Sequence, residues 1–200
     1  MARPRKEQEL DIARRAIDET IRLLSERGDL DVPLTAVAHA IGCTAPALYG
    51  NFRNKSALLR AVREEGFNRL YREKLAVFEQ MRGNPFGYLR DGSYAYVRFA
   101  LENHTLYRLM FTPPPRLGVS DDPWSGEAGR QILNLLLTGL RCSQDQGFLP
   151  GMDLSRYSFM FWSTVHGAVS LTLQNREMDQ PAKWDATRKA VDTLMEIIAA

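Results

Sequence analysis

The sequence predicts an all-α protein, with a small N-terminal domain of three helices followed by a larger C-terminal helical bundle. Apolar residues recur at three- and four-residue spacing along almost all of its 200 residues, which is the period of an amphipathic helix. No segment of any length alternates apolar and polar residues as a half-buried strand does. Glycines and prolines then divide the pattern into helices of ordinary length.

The N-terminal domain is predicted to contain three helices. The first, over residues 7–27, carries an apolar stripe and ends at Gly28. A short helix over residues 33–41 begins with Pro33, because proline is tolerated in a first turn. Thr44 is a suitable N-cap for a third helix over residues 45–51. The stripe of the first helix consists of Leu10, Ala13, Ile17, Ile21 and Leu24.

The rest of the chain is predicted to form six further helices. Asn54 and Asp153 are suitable N-caps for the first and the fifth of them. A proline-rich loop over residues 113–122, in which no helix is expected, separates the third from the fourth. We place the domain boundary after residue 54, giving domains of residues 1–54 and 55–200. The six helices are expected over residues 55–81, 86–102, 104–111, 123–146, 153–176 and 181–199.

Composition excludes several classes of protein. Hydrophobic residues make up 44% and charged residues 25% of the chain, as in an ordinary globular protein. No apolar run approaches the ~20 residues of a membrane span, and the basic N-terminus lacks the apolar core of a signal peptide. We therefore expect a cytoplasmic protein without membrane contact. Cys43 and Cys142 fit neither a disulfide scaffold nor a metal site, so no metal or cofactor is expected.

Charge is distributed unevenly, although the net charge is only +2. From Val32 to Val62 there is no Asp or Glu, while Arg53, Lys55 and Arg60 lie in that window. A surface that contacts phosphate should exclude carboxylates, because each would repel the nucleic-acid backbone. The alternative is chance in a short, mostly apolar segment.

A short helix, a glycine turn and a second short helix over residues 33–51 form the arrangement of a helix-turn-helix. In that motif the second helix enters the DNA major groove, while the first crosses the backbone. The alternative is a simple αα-hairpin, since helix pairs joined by a glycine turn are common. Spacing alone leaves both interpretations open.

The residues themselves resemble the DNA-binding signature of the TetR family of transcriptional regulators. That signature has an Ile-Ala pair, a Gly-Val-Ser turn, Leu-Tyr-x-x-Phe, a Lys and a Leu-Leu pair. The resemblance implies that Tyr49 and Lys55 contact phosphate and that Phe52 is a core aromatic. For Tyr49 the alternative is a packed aromatic with a solvated hydroxyl. The matching residues are Val37-Ala38, Gly42-Cys43-Thr44, Leu48-Tyr49-Gly50-Asn51-Phe52, Lys55 and Leu58-Leu59.

The sequence departs from this signature at the cap of the second helix, in the turn and in the recognition helix. Pro33 replaces a capping hydroxyl residue and Cys43 replaces the usual Val. The predicted recognition helix offers Ala45, Pro46 and Ala47, which make only apolar contacts, so Thr44 and Asn51 are the obvious hydrogen-bonding readers. We therefore expect DNA shape to contribute to recognition.

The basic residues Arg3, Arg5 and Lys6 precede the first helix. We expect this N-terminal arm to contribute to recognition by reaching an adjacent minor groove. The alternative is that the arm is a disordered tail.

The second half resembles the regulatory domain of a TetR subgroup named for a Trp-His-Gly motif. The stretches over residues 96–111 and 161–167 carry that resemblance. It implies that the last two helices of each copy form a four-helix dimer interface, although an apolar stripe is more often intramolecular core. The predicted interface residues are Gly167, Ala168, Trp184, Val191, Leu194, Met195 and Ile198.

The middle helices are then expected to enclose a pocket for a small, mostly apolar effector. Plain core packing is the alternative for each residue, because pockets and cores use the same side chains. The candidate lining residues are Tyr94, Phe99, Met110, Phe111, Trp124, Trp162 and His166.

The function predicted from the sequence is a dimeric regulator, a repressor released from a palindromic operator by its effector. An enzyme is a rival, but the three histidines lack metal-ligand spacing and no nucleotide-binding motif is present. A helical binding or scaffold module that has lost DNA binding is the second rival. Salt-dependent binding to duplex DNA separates it from a regulator.

Overall fold

The structure is a computed structural model that describes residues 6–149, 151 and 153–199. Over these residues the chain forms nine α-helices and one short 3-10 helix, which confirms the predicted all-α class. No described helix has both the length and the apolar character needed to cross a membrane. The helices are α1 (Lys6–Arg27), α2 (Leu34–Ala40), α3 (Ala45–Asn51), α4 (Lys55–Gln80), α5 (Pro85–Glu102), α6 (His104–Phe111), α7 (Glu127–Asp145), α8 (Leu154–Gln174) and α9 (Gln180–Ala199), with the 3-10 helix at Pro115–Leu117.

Side-chain caps begin the helices where the sequence predicts them. Thr44 Oγ1 accepts a hydrogen bond from the Ala47 amide at 3.3 Å, and Asn54 Oδ1 accepts one from the Ala57 amide at 2.8 Å. Asp153 accepts from two amides of the first turn of α8. Each cap satisfies an amide that has no partner within its helix.

Two predictions between α6 and α7 are wrong. The loop expected to lack helix contains the 3-10 turn, closed by a hydrogen bond from the Leu117 amide to the Pro114 carbonyl at 2.9 Å. Proline suits this turn because its fixed φ is compatible with a helical first turn. Helix α7 begins at Glu127 instead of residue 123, because Asp122 turns the chain: its carboxylate accepts from the Trp124 amide at 2.9 Å.

The helices form two compact units that divide the chain differently from our predicted boundary. The first unit contains the chain up to Phe67 together with Thr105–Gly126, and the second contains Asn68–His104 together with the chain from Glu127. Helix α4 is therefore divided between the units after Phe67, and α6 belongs with the N-terminal helices.

The first unit has a core drawn from α1 to α4 and α6. Phe67 contacts Phe111 edge-on, with ring centroids 5.2 Å apart. Gly66 lets α4 approach α6 closely, because a Cβ there would lie 2.7 Å from Met110 Sδ. The largest fully buried side chains of this unit are Leu24, Leu30, Leu48, Leu59, Phe67, Leu109 and Met110.

Arg63 is the main polar anchor within the first unit. It is buried, and its guanidinium lies 4.8 Å from the centroid of the Phe67 ring. Its Nε donates to the Met110 carbonyl at 3.0 Å and its Nη2 donates to the Asp122 carbonyl at 2.6 Å. Burial lowers the Arg63 pKa from its ordinary value, and nearby carboxylates oppose that shift. One side chain of α4 thus holds both the end of α6 and the segment after it.

The second unit is a bundle in which α5 packs against α7, α8 and α9, and α8 packs against α9. Its fully buried side chains include Tyr88, Leu89, Phe99 and Leu140. A close contact between helices is at Gly139 of α7, where a Cβ would lie 2.7 Å from the Tyr88 ring. Only glycine therefore lets α7 approach this ring without displacing it.

Candidate nucleic-acid interface and regulatory domain

Helices α2 and α3 form a helix-turn-helix that packs on α1. The turn between them passes through Gly42, whose φ of +66° is the left-handed conformation that favours glycine. The carbonyl of Ile41 in this turn accepts a hydrogen bond from the Arg15 guanidinium of α1. Val37 and Leu48 are buried and fix both helices to the unit's core. The arrangement leaves one side of α3 facing solvent.

The solvent-facing side of α3 carries most of the predicted base-reading residues. Tyr49 is 50% exposed, which places its ring outside the core. Pro46 is exposed, and Ala45 and Ala47 are half-buried. Asn51 is also half-buried, and its side-chain amide donates to the Ala47 carbonyl at 3.0 Å. One donor of the expected reader Asn51 is therefore engaged within its own helix.

Phe52 is buried directly after α3, as expected of a core aromatic. Pro33 stands at the N-cap of α2 and makes no side-chain capping bond. Arg3 and Arg5 lie outside the described residues, and Lys6 begins α1 with its side chain outside the description.

Lys55, the predicted phosphate ligand, forms an ion pair with Asp31. Both residues are solvent-accessible, and Lys55 lies in the first turn of α4, where helix amides also favour an anion. Hydrogen bonding and charge from Lys55 lower the pKa of the Asp31 carboxyl, and the charge of Arg116 adds to that effect. The acid-free window thus begins just after a carboxylate that is paired with Lys55.

Arg116 is a residue that the sequence reasoning missed. Its segment is held to α4 because the Arg60 guanidinium donates to the Gly118 carbonyl at 3.0 Å. A Cβ at Gly118 would lie 3.1 Å from Ser56 Oγ, so the segment runs close to the first turn of α4. Leu117 is buried while Arg116 is exposed. Arg116 is more than fifty residues from Lys55 in sequence, so only the fold reveals that both act on Asp31.

In the second unit, the Trp-His-Gly stretch lies on α8 and contacts α5. The rings of Trp162 and His166 stack with centroids 4.7 Å apart. His166 Nδ1 shares a hydrogen bond with the Tyr96 hydroxyl at 2.8 Å, and its Nε2 shares one with Ser170 Oγ at 3.3 Å. Burial lowers the His166 pKa, which favours the neutral ring. These contacts connect α8 to α5.

The other predicted effector-lining residues are distributed between the units. Met110, Phe111 and the half-buried Trp124 belong to the first unit. Tyr94 and Phe99 belong to the second, where Phe99 is fully buried and the Tyr94 hydroxyl donates to Asp192.

The second unit also has an open groove of about 620 Å³ between the end of α5 and the start of α9. Trp184 is the one predicted site residue among those that line it. Burial and the charge of Glu102 raise the pKa of nearby Glu73, while Arg98 opposes that shift. The groove residues are Arg98, Leu101, Glu102, Gln180, Pro181 and Trp184.

Most of the apolar stripe predicted for a dimer interface is occupied within one copy of the chain. Val191, Leu194, Met195 and Ile198 are buried in the second unit, because α9 directs them at α5 and α8. Trp184 is half-buried, with its ring centroid 6.0 Å from that of Tyr94. Gly167 and Ala168 are half-buried as well.

Three large apolar side chains that are exposed on α8 and α9 lie outside the predicted interface set. Phe159, Leu171 and Ile197 are 70%, 72% and 66% exposed. Gly167 lies between Phe159 and Leu171 along α8, and a Cβ added there would contact nothing within 4 Å. This part of α8 is therefore open in a single copy.

Comparison with known proteins agrees with this architecture. A family model described as "Bacterial regulatory proteins, tetR family" matches residues 11–62. A second, described as "Tetracyclin repressor-like, C-terminal domain", matches residues 89–197. The HTH-type transcriptional regulator AcrR of Shigella flexneri is 29% identical over 91 residues, which cover 46% of this chain and 42% of that protein. This match therefore spans less than half of the relative's length.

Solved structures share the fold over nearly the whole chain. A TetR-family transcriptional regulator from Pectobacterium atrosepticum has a TM-score of 0.78 at 19% identity, covering 98% of both chains. The TetR family regulator PfmR from Thermus thermophilus has a TM-score of 0.67 at 20% identity, covering 91% of this chain and 97% of its own. With the two family matches, these results identify the chain as a member of the TetR family, a transcriptional regulator with an N-terminal DNA-binding domain and a C-terminal ligand-binding domain.

Proposed function

We propose that the protein is a dimeric repressor that binds a palindromic operator through α3 and leaves it when a small molecule binds the second unit. The observation that carries the DNA-binding part is the solvent-facing side of α3, with Tyr49 half exposed and Lys55 at the start of the next helix. An operator-blocking dimer needs no contact with RNA polymerase, which is why we favour repression.

The proposed phosphate contacts are Tyr49, Lys55 and Arg116. Phosphate contacts fix the register of a protein on duplex DNA, and base contacts supply its specificity. The proposed base contacts of α3 and its N-cap are Thr44, Asn51 and the apolar side chains Ala45, Pro46 and Ala47. Because Asn51 already donates to a carbonyl of its own helix, we expect modest base discrimination, supplemented by DNA shape and by the basic N-terminal arm.

The proposed dimer contact is the open side of α8 and the end of α9. Phe159, Leu171 and Ile197 supply exposed apolar area, and Gly167 permits the close approach of a second helix. A two-fold protein suits a palindromic operator because its recognition helices then lie about 34 Å apart, one turn of DNA. The double variant Phe159→Glu, Leu171→Glu should be monomeric in sedimentation velocity, and its helix content should be unchanged. A dimer that survives both changes contradicts this contact.

The proposed response is a shift of population between two conformations. An effector releases DNA only to the extent that its affinities for the DNA-binding and the free conformation differ. Helix α4 is shared by the two units. We therefore propose α4 as the element whose position differs between the conformations.

The first test is selection of bound duplexes from a random DNA pool at moderate salt. Recovery of a palindromic site supports the proposal. A folded dimer that enriches no duplex favours the alternative, a helical binding module without sequence-specific DNA binding.

The second test is the salt dependence of binding to the selected site. Lys55→Ala and Arg116→Gln should each weaken binding to all sequences and reduce the salt slope by roughly one. Arg141→Gln is the matched control, since Arg141 is an exposed arginine of the second unit. An unchanged slope removes the corresponding residue from the proposed interface.

A further inference from the structure

Lys74 places a charged group inside the second unit. Its side chain lies on α4 and is only 8% exposed. Nζ donates to the Gly92 carbonyl of α5 at 3.0 Å and lies 5.8 Å from the centroid of the Tyr88 ring. No carboxylate among the described residues forms an ion pair with it. An ammonium has three N–H donors, so this one has donor capacity left over.

Tyr88, whose ring centroid lies 5.8 Å from Lys74 Nζ, places a second polar group in the same interior. The residue is 2% exposed, and its buried hydroxyl has no hydrogen-bond partner among the described residues. Phe78 contacts its ring edge-on with centroids 4.9 Å apart, and Gly139 of α7 lies against the ring. The ring is therefore held from two directions, and its hydroxyl cannot simply turn towards solvent.

It is unusual for one interior to contain both a buried ammonium with a single hydrogen bond and a buried phenol hydroxyl with none, as the described residues do here. Buried polar groups in folded proteins nearly always have partners, and those without one call for an explanation. Burial lowers the Lys74 pKa to about 8, so the ammonium form still predominates at pH 7. Burial also raises the Tyr88 pKa, so the phenol stays neutral and remains a donor. The region therefore presents two hydrogen-bond donors, one of them cationic, and the apolar ring of Phe78 packs against that of Tyr88.

We propose that Lys74 and Tyr88 bind the acidic end of the effector, which is an organic acid whose carboxylate accepts hydrogen bonds from Nζ and from the phenol. This inference rests on the proposed function, in which the second unit binds a small molecule. A carboxylate supplies a hydrogen-bond acceptor to each donor, and its negative charge neutralises the buried ammonium. An amine would be repelled by Lys74, and an alcohol would leave its charge unbalanced. The rest of the effector is apolar, to match Phe78.

The test uses probes that differ only in their polar end. Octanoate, 1-octanol and octylamine form one set, and 3-phenylpropanoate with its alcohol and amine forms another. Thermal melting of the full chain and release of the selected duplex are measured with each compound at pH 6.5. The expected result is that at least one acid raises Tm and releases duplex, while its alcohol and amine are at least tenfold weaker. Equal effects of acid and alcohol, or no effect of either acid, overturn the inference.

Variants then assign the effect to the two residues. Lys74→Met and Lys74→Gln should each weaken the active acid at least tenfold, and Tyr88→Phe severalfold. Lys189→Met is the matched control, because Lys189 is an exposed lysine of the same unit. Unchanged acid affinity in both Lys74 variants overturns the inference. If the wild-type chain binds duplex and only neutral or cationic compounds release it, this inference is refuted and the proposed function stands. If the wild-type chain binds no duplex, the proposed function is refuted.

Discussion

Lys74 shows how a single side chain can be costly to the fold in which it lies. Its pKa falls from 10.5 to about 8 because burial penalises the charged form. Below pH 8 the lysine is protonated in both the folded and unfolded chains, so the folded state bears the whole penalty. Between about pH 8 and 10.5 the unfolded chain binds more protons, so stability rises with pH over this window.

We expect this rise to be measurable and to disappear in Lys74→Met. Since one pKa unit corresponds to about 1.4 kcal/mol, the contribution of Lys74 to that rise is on the order of 3 kcal/mol. Denaturant unfolding of the wild-type chain, Lys74→Met and the exposed-lysine control Lys189→Met, repeated from pH 7 to 10.5, measures it. Lys74→Met should be the most stable of the three at pH 7. Parallel pH profiles for the wild type and Lys74→Met would contradict the assignment.

In contrast to the buried Lys74, which has no ion pair in the described part of the chain, Asp31 lies at the surface and its carboxylate is paired with the proposed phosphate ligand Lys55. Asp31→Asn should strengthen binding to any duplex about two- to fivefold at low salt, the range of an exposed ion pair. The gain should shrink as salt is raised, because exposed charges are screened. Asp29→Asn is the control of equal charge two residues away. A gain that is equal in both variants would assign the effect to net charge instead of the pair.

At the scale of the helix, local chemistry made most of the fold predictable. Thr44, Asn54 and Asp153 cap the helices for which they were predicted, since a cap depends on residues that are adjacent in sequence. The start of α7 was predicted four residues too early, because the carboxylate of Asp122 competes for the backbone there.

Contacts between distant segments were not predictable in this way. The periodicity of α9 identifies its apolar face, but only the packed structure shows that Val191 and Leu194 face the same chain. Arg116 looks like any loop arginine until the 3-10 helix is placed beside α4. Lys74 resembles a solvated helix residue, and nothing near it in sequence indicates that it is buried. Each of these residues takes its role from a neighbour far away along the chain.

Arg63 connects α4 to the segment that follows α6, and its removal should loosen that segment. Arg63→Ala removes two hydrogen bonds, the one from Nε to the buried carbonyl of Met110 and the one from Nη2 to the carbonyl of Asp122. We expect a loss of about 2–4 kcal/mol in the free energy of unfolding, measured by denaturant titration. Arg63→Lys keeps the charge but not the planar set of donors, and should fall in between. A loss below about 1 kcal/mol in Arg63→Ala would show that Arg63 is not an anchor.

At the scale of the whole molecule, the first unit is discontinuous in sequence. Phe67, Gly66 and Arg63 of α4 complete their contacts only with Phe111, Met110 and Asp122. A polypeptide that ends at residue 67 should therefore lack a complete core and show weak, non-cooperative melting by circular dichroism, in contrast to the full chain. Duplex binding by that fragment should be lost at salt concentrations where the full chain binds. A sharp, cooperative transition in the fragment would contradict this dependence.

The same discontinuity has a consequence for the opening motions of the backbone. Amide hydrogens in one cooperative unit exchange with solvent at similar protection, whatever their order in sequence. Residues 105–126 should therefore share the protection of α1–α3 and lose it together with them when Arg63 is replaced. The flanking helices α5 and α7 should keep the protection of the second unit. In a plot of exchange against residue number, the boundary of the DNA-binding unit should accordingly appear three times, near residues 67, 104 and 126.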